Sequence, residues 1–265
     1  MNDPKDLITD VSKELIKPVY DDLAHPAMME GGKALGRIPR AINAAFSRLD
    51  KWILKKEYSI KETELLLEQK LQNIASEKIV PPEPYVAVPA LQAISYSMDS
   101  AELRNLYANL LARSINVDEK EKVHPSFVEI IKGLSPIDCK VFNFICGNRQ
   151  TKEIGCIFFR EHFKDSSSYS QFSGCFTAID FFDPFEVSAS LDNLARNSLI
   201  KIENFIYNDK TYYSEIRENN YYIQYKAIYG AAFNNVTSYL KDIEMAIKTT
   251  DFGKVFYDIC VKNPD

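Results

Sequence analysis

The chain has no Cys-x-x-Cys pair, no long apolar run, no glycine-rich phosphate loop and only three histidines. Each shortage removes a class of function. The five cysteines, Cys139, Cys146, Cys156, Cys175 and Cys260, are scattered, which is the pattern of buried thiols in a reducing compartment, not of a disulfide scaffold or a zinc site. No stretch reaches the roughly 18 uninterrupted apolar residues that a membrane-crossing helix needs. The opening MNDPKDLITDVSKEL is mixed in charge and lacks an apolar centre, so no signal peptide is expected. Gly31-Gly32-x-x-x-Gly36 lacks both a preceding strand and the Lys-Ser/Thr ending of a phosphate loop. His25, His124 and His162 form no metal-spaced pair, and the first two precede proline, which points to turns. The net charge is −5 and the sequence pI about 5.4, so the molecule as a whole is not drawn to nucleic acid or to anionic membranes. The expectation is a cytoplasmic protein with no catalytic residues, no cofactor and no metal.

What is present is enough apolar material for one large core or two modest ones: 265 residues at 46% hydrophobic,. The pattern predicts a fold that is mainly α with a small β component. A helical domain over 1–134 precedes a winged-helix-like α+β domain over 135–265, with insertions near 148–182 and 204–240. Residues 5–24 are amphipathic, and a helix is expected from about Pro39 to Tyr58. Ser59-x-x-Glu62 is a capping box for the next helix, whose apolar side carries Leu65, Leu67, Leu71, Ile74 and Ile79. Pro81-Pro82-Glu83-Pro84 ends that helix, and a short one is expected from Pro89 to Ser97. Asp99-x-x-Glu102 is a second capping box. It leads into a Leu-rich helix with Leu103, Leu106, Tyr107, Leu110, Leu111 and Ile115 at helical spacing.

Beyond that helix, His124-Pro125 opens a short helix with Phe127, Val128, Ile130 and Ile131 apolar. Gly133 is expected to close it in a left-handed conformation, with Ser135 capping the next helix and Pro136 at its first position. Asp183-Pro184-Phe185-Glu186 caps a helix through Val187, Leu191 and Leu194. That helix runs into an alternating strand at Leu199–Ile202. A second strand is expected at Ile243–Lys248, followed by Thr250-Asp251-Phe252-Gly253 and a last helix over Lys254–Val261. The seven tyrosines from Tyr207 to Tyr229 lack interleaved cations and read as half-buried strand residues.

Three phrases in this stretch carry a family resemblance: Ala108-Asn109-Leu110-Leu111, then His124-Pro125-Ser126-Phe127-Val128-Glu129-Ile130, then Leu134-Ser135-Pro136-Ile137-Asp138. Together they resemble the signature of the abortive infection alpha family, and Asp251-Phe252-Gly253-Lys254-x-Phe256-x-x-x-Cys260 resembles its close. The resemblance implies a role in bacterial defence against phage and names no reaction. Asp138 reads as a first-turn acid favoured by the helix dipole, and His124 has no neighbouring nucleophile or acid pair to serve as a base.

Two binding surfaces remain to be weighed. Leu191-Asp192-Asn193-Leu194-x-x-Asn197-Ser198-Leu199-Ile200 resembles the end of a winged-helix recognition helix, which makes a DNA-binding regulator the alternative function. Yet residues 135–265 hold 14 Lys and Arg against 17 Asp and Glu, a net of −3, and DNA affinity comes largely from cations that neutralise phosphates. Nucleic acid is therefore not the expected partner. Residues 33–61, by contrast, carry a net +6 and leave −11 for the rest. Within them Arg40, Arg48, Lys51 and Lys55 fall on one helical face and Phe46 and Trp52 on another. That pattern suits contact with an anionic membrane surface, an acidic partner or nucleic acid, and equally a surface helix whose apolar face lies in the core and whose cations are solvated. The expected partners are another protein or a second copy of the chain, with a peripheral position at the inner membrane if the basic helix meets lipid.

Overall fold

A computed structural model describes residues 65, 66, 69–71, 74, 78, 80, 82–97, 99–147, 153–172 and 174–263. The expected helices over 5–24 and 39–58, and the Ser59-x-x-Glu62 box, lie outside the described residues. Within them the architecture is mainly α-helical with a small antiparallel sheet. Two compact units divide the chain. One ends at Gly133 and takes in the segment from Asp258 onward, and the other runs Leu134–Tyr257.

The first unit is built on α1 (Pro84–Tyr96), α2 (Ala101–Ser114) and α3 (Ser126–Lys132), packed pairwise. The short helix expected from Pro89 begins earlier, at Pro84, a first-turn position where the missing N–H costs nothing,. Pro89 lies inside the same helix; the carbonyl it leaves unbonded belongs to the exposed Tyr85 and can meet water,. Helix α2 is capped one residue later than the sequence suggests, with Ser100 Oγ accepting from Leu103 N at 3.2 Å. It is buried nearly all round. Leu106, Tyr107, Leu110, Leu111 and Ile115 are core, and so are Arg104, Asn109 and Arg113. Helix α3 buries Phe127, Val128, Ile130 and Ile131 as expected. Gly133 closes it in a right-handed conformation, φ −85°. Among the described residues, the non-glycine with positive φ is Ser198, φ 60°.

The second unit contains α4 (Pro136–Gly147), β1 (Glu153–Phe163), β2 (Tyr169–Gln171), α5 (Pro184–Arg196), β3 (Ile200–Glu203), α6 (Thr211–Glu218), α7 (Asn220–Phe233), β4 (Ser238–Thr249) and α8 (Asp251–Phe256). The sheet order is β2-β1-β4-β3, antiparallel throughout. The strand expected at Leu199–Ile202 is β3, and it pairs with the expected partner: Ile200 faces Thr249 and Glu203 faces Ala246. Thr250 caps α8 through Gly253 N at 2.8 Å. There the chains approach so closely that a Cβ on Gly253 would lie 2.0 Å from the Leu199 carbonyl oxygen. A single π-type turn, Tyr257–Val261, follows α8 where α-helix was expected.

The segments 148–182 and 204–240 carry structure of their own. The first supplies β1, which pairs with β4 over eleven residues from Glu153↔Lys248 to Phe163↔Ser238. The second supplies α6 and α7, so six of the seven clustered tyrosines are helical and not strand residues, and Tyr207 lies in the loop after β3. Tyr222, Tyr225 and Tyr229 recur at helical spacing, and tertiary packing overrides their strand preference. They lie on one sheet face with Ile157, Phe159, Phe176, Tyr213 and Ala246. Gly155 permits the approach, because a Cβ there would stand 2.6 Å from the Tyr212 carbonyl oxygen. The opposite face packs Ile154, Cys156 and Ile247 toward α4, α5 and α8.

Leu110 is fully buried in α2. Leu110→Ala is expected to lower unfolding free energy by roughly 2–5 kcal/mol through the cavity it leaves, measured by urea titration. A change near zero would mean that the helix is a binding face and not core.

Candidate functional site

Arg40, Arg48, Lys51, Trp52 and Lys55 lie outside the described residues. The polar residues of the sequence motifs are described, and the structure places each of them.

Asn109 is fully buried in α2, and its amide donates to the carbonyls of Cys260 at 2.8 Å and Val261 at 3.3 Å. One turn on, Arg113 pairs with Glu119 and donates to the Lys262 carbonyl at 3.2 Å. Lys70 donates to the Asn263 side chain at 3.0 Å. Asn109 and Arg113 thus collect carbonyls that a helix leaves unbonded at its end,. Asn109 was read only as part of a family phrase, and Arg113 went unread in the sequence. Their signal was a polar pair at i, i+4 within a helix otherwise composed for burial.

Asp138 is buried at the start of α4, where its carboxylate accepts from Ser135 N at 2.7 Å while Ser135 Oγ accepts from Asp138 N at 3.2 Å. This is a reciprocal capping box. The same carboxylate accepts from Asn193 Nδ2 at 2.9 Å, which ties α5 to α4. Arg196 and Asn197 both donate to the Asn193 side chain. His124 Nδ1 accepts from Ser126 N at 3.2 Å and shares a hydrogen bond with Ser126 Oγ at 2.6 Å, so a hydroxyl does stand beside this ring, against the expectation, while the histidine serves the start of α3. All five cysteines are buried thiols. Burial pushes the Cys175 thiol well up, with the neighbouring Cys156 adding to the effect.

A second polar network joins β4 to the tyrosine helices. Tyr222 donates to Asp242 at 2.6 Å, and Lys226 pairs with the same carboxylate. Glu244 accepts from Arg217 at 2.6 Å and from Lys210 at 3.2 Å. Burial alone would raise Glu244, but those two hydrogen bonds hold it below the usual range. Tyr207 donates to Glu153 at 2.9 Å. Burial, and then the carboxylates they donate to, push both Tyr207 and Tyr222 far up, so both act as fixed donors,.

Among the described residues, no group of three or more His, Cys, Asp or Glu is placed to hold a metal ion. No helix among them is long and apolar enough to cross a membrane. The family model for abortive infection alpha matches residues 55–260. No curated protein and no solved structure matches the chain.

Lys70 is pushed down to about 8, first by burial and second by the positive charge of Arg113. Its folded value lies below its unfolded 10.5, so the unfolded chain binds this proton more tightly. Its charge therefore costs stability below pH 8, and the cost fades as pH rises from about 8 to 10.5,. Lys70→Met is expected to be more stable than the parent at pH 7, with the advantage shrinking toward pH 10 in urea titrations. A variant less stable at pH 7 would show that the hydrogen bond to Asn263 outweighs the charge.

Proposed function

The chain belongs to the abortive infection alpha family, and from that membership we propose that it is a phage-defence protein that acts by contact, not by catalysis. The observation that carries this reading is the use made of the motif residues. Asn109, His124 and Asp138 each hold backbone or a neighbouring helix, which is a scaffold's employment and leaves the working surface to be sought elsewhere. Residues 33–61, with Arg40, Arg48, Lys51 and Lys55 beside Trp52, are that surface. Its partner is an anionic membrane or an acidic protein, and the protein resides in the cytoplasm, peripheral to the inner membrane when lipid is engaged.

The order α4, β1, α5, β3, β4, with β4 between β1 and β3, supports reading Leu134–Tyr257 as a winged-helix-like unit. Duplex DNA binding by α5 draws no support from its polar residues. Arg196, the one cation from Phe185 to Ser198, donates to Asn193, and Asn193 donates to Asp138.

The test is a phage challenge of cells carrying the intact chain or a version lacking residues 1–60, together with vesicle binding by purified protein. Protection by the intact chain alone is expected. Binding to anionic vesicles should weaken with salt, because exposed charges are screened within about 8 Å at physiological ionic strength. Changing Arg40, Arg48, Lys51 and Lys55 to Gln should abolish binding with little loss of stability. Trp52 fluorescence indifferent to vesicles, with protection retained by the truncated chain, would overturn the proposal.

A further inference from the structure

One end of the sheet has a face that neither α6 nor α7 covers. Register sets its composition. His162 lies between Tyr169 of β2 and Tyr239 of β4, directly opposite both. Two residues along β1, Arg160 lies between Gln171 and Lys241. The result is an aromatic row beside a cationic row, about 7 Å apart by the rise of a strand.

The rings are in contact. His162 stacks on Tyr239 at 5.4 Å and 18°, and its ring is 5.6 Å from that of Tyr169. The Arg160 guanidinium lies 4.5 Å over Tyr169, and its Nε donates to Gln171 at 2.8 Å. Tyr169 is 51% and Tyr239 42% exposed. Strand β3 pairs with β4 only from Ala246 to Thr249, so no paired strand of the sheet flanks Tyr239 on its outer side. Among the described residues, neither Arg160 nor Lys241 pairs with a carboxylate. The acids of β1 and β4, Glu153, Glu161, Asp242 and Glu244, alternate onto the other face, where Asp242 is taken up by Tyr222 and Lys226. The turn beyond β1 adds Lys164 and Asp165, which offset each other.

We propose that this open face of β2, β1 and β4 binds single-stranded nucleic acid, with bases stacking on the exposed Tyr169 and Tyr239, phosphates meeting Arg160 and Lys241, and His162, its Nε2 buried, holding the two tyrosine rings apart. Charge complementarity chooses a polyanion, because two cations stand on a face free of carboxylates. The rings choose among polyanions. An unpaired base offers its π-face to an aromatic side chain, whereas in a duplex those faces are already stacked. An acidic peptide would use the cations and leave the rings idle. The acidic balance of the whole chain does not oppose this site, because strand alternation separates the charges by face. The proposal stands independently of the basic segment over residues 33–61.

The test uses the full chain and a fluorescein-labelled, mixed-sequence oligonucleotide, as RNA and as DNA, single-stranded and as duplex, read by fluorescence anisotropy. Saturable, salt-sensitive binding with single strands preferred is the expected result. Tyr239→Ala, and Arg160→Gln with Lys241→Gln, should each weaken it about tenfold or more. Lys241→Gln alone, at an exposed position, should weaken binding without moving the melting temperature, which guards against a variant that misfolds. Changing Arg40, Arg48, Lys51 and Lys55 to Gln should leave this binding in place. Equal affinity for duplex, no saturable binding, binding indifferent to the sheet-face variants, or capture of anionic vesicles in its place would overturn the proposal.

Discussion

The register of β1 against β4 is the constraint on which the second unit depends. Eleven consecutive pairs fix which residues face α6 and α7 and which face the other way. A slip of one residue would exchange the two faces. Asp242 and Glu244 would then lose Tyr222, Lys226, Arg217 and Lys210, the groups that offset the cost of covering them,. Were β1 the strand to turn over instead, Phe159 and Ile157 would leave the aromatic cluster and Arg160 would be driven into it. The packing and the charge pattern therefore enforce the same register. Gly155 adds a steric condition, because only at a residue without a Cβ can the Tyr212 backbone come so close.

The first unit depends on polar groups buried inside a helix. Asn109 and Arg113 point inward from α2 and hold the carbonyls of residues 260–262. Burying a cation is costly unless it is paired, and Arg113 has Glu119,. Lys70, beside Arg113, holds only a neutral amide partner in Asn263, and its lowered pKa is the record of that cost. The motif asparagine thus anchors the segment that ends in the motif cysteine, Cys260, which links two separated parts of the family pattern by a single hydrogen bond.

Sequence reading found the elements whose signals are local. Caps at Ser135, Asp183 and Thr250, the strand β3, and the core positions Leu106, Leu110, Phe127, Ile131 and Leu194 all follow from neighbours a few residues away. It passed over β1 because Cys156-Ile157-Phe158-Phe159 is apolar without alternation, buried on both faces of the sheet,. It read the tyrosine helices as strand because residue type spoke louder than spacing. The basic segment was legible because its cations are contiguous. The aromatic and cationic rows were not, since positions 160, 162, 169, 239 and 241 meet only once three strands are paired. The alternation Lys241-Asp242-Ile243-Glu244, one cation and two acids on opposite faces, was the one local hint.

One face of this sheet is closed by α6 and α7 while the other is open at its outer end. Tyrosine nitration of the folded full chain, located by peptide mass spectrometry, tests it most directly. Tyr239 and Tyr169 should react quickly, whereas Tyr213 and Tyr222, 0% and 7% exposed, should stay protected until the protein unfolds. Nitration of Tyr213 and Tyr222 as fast as that of Tyr239 would contradict the account.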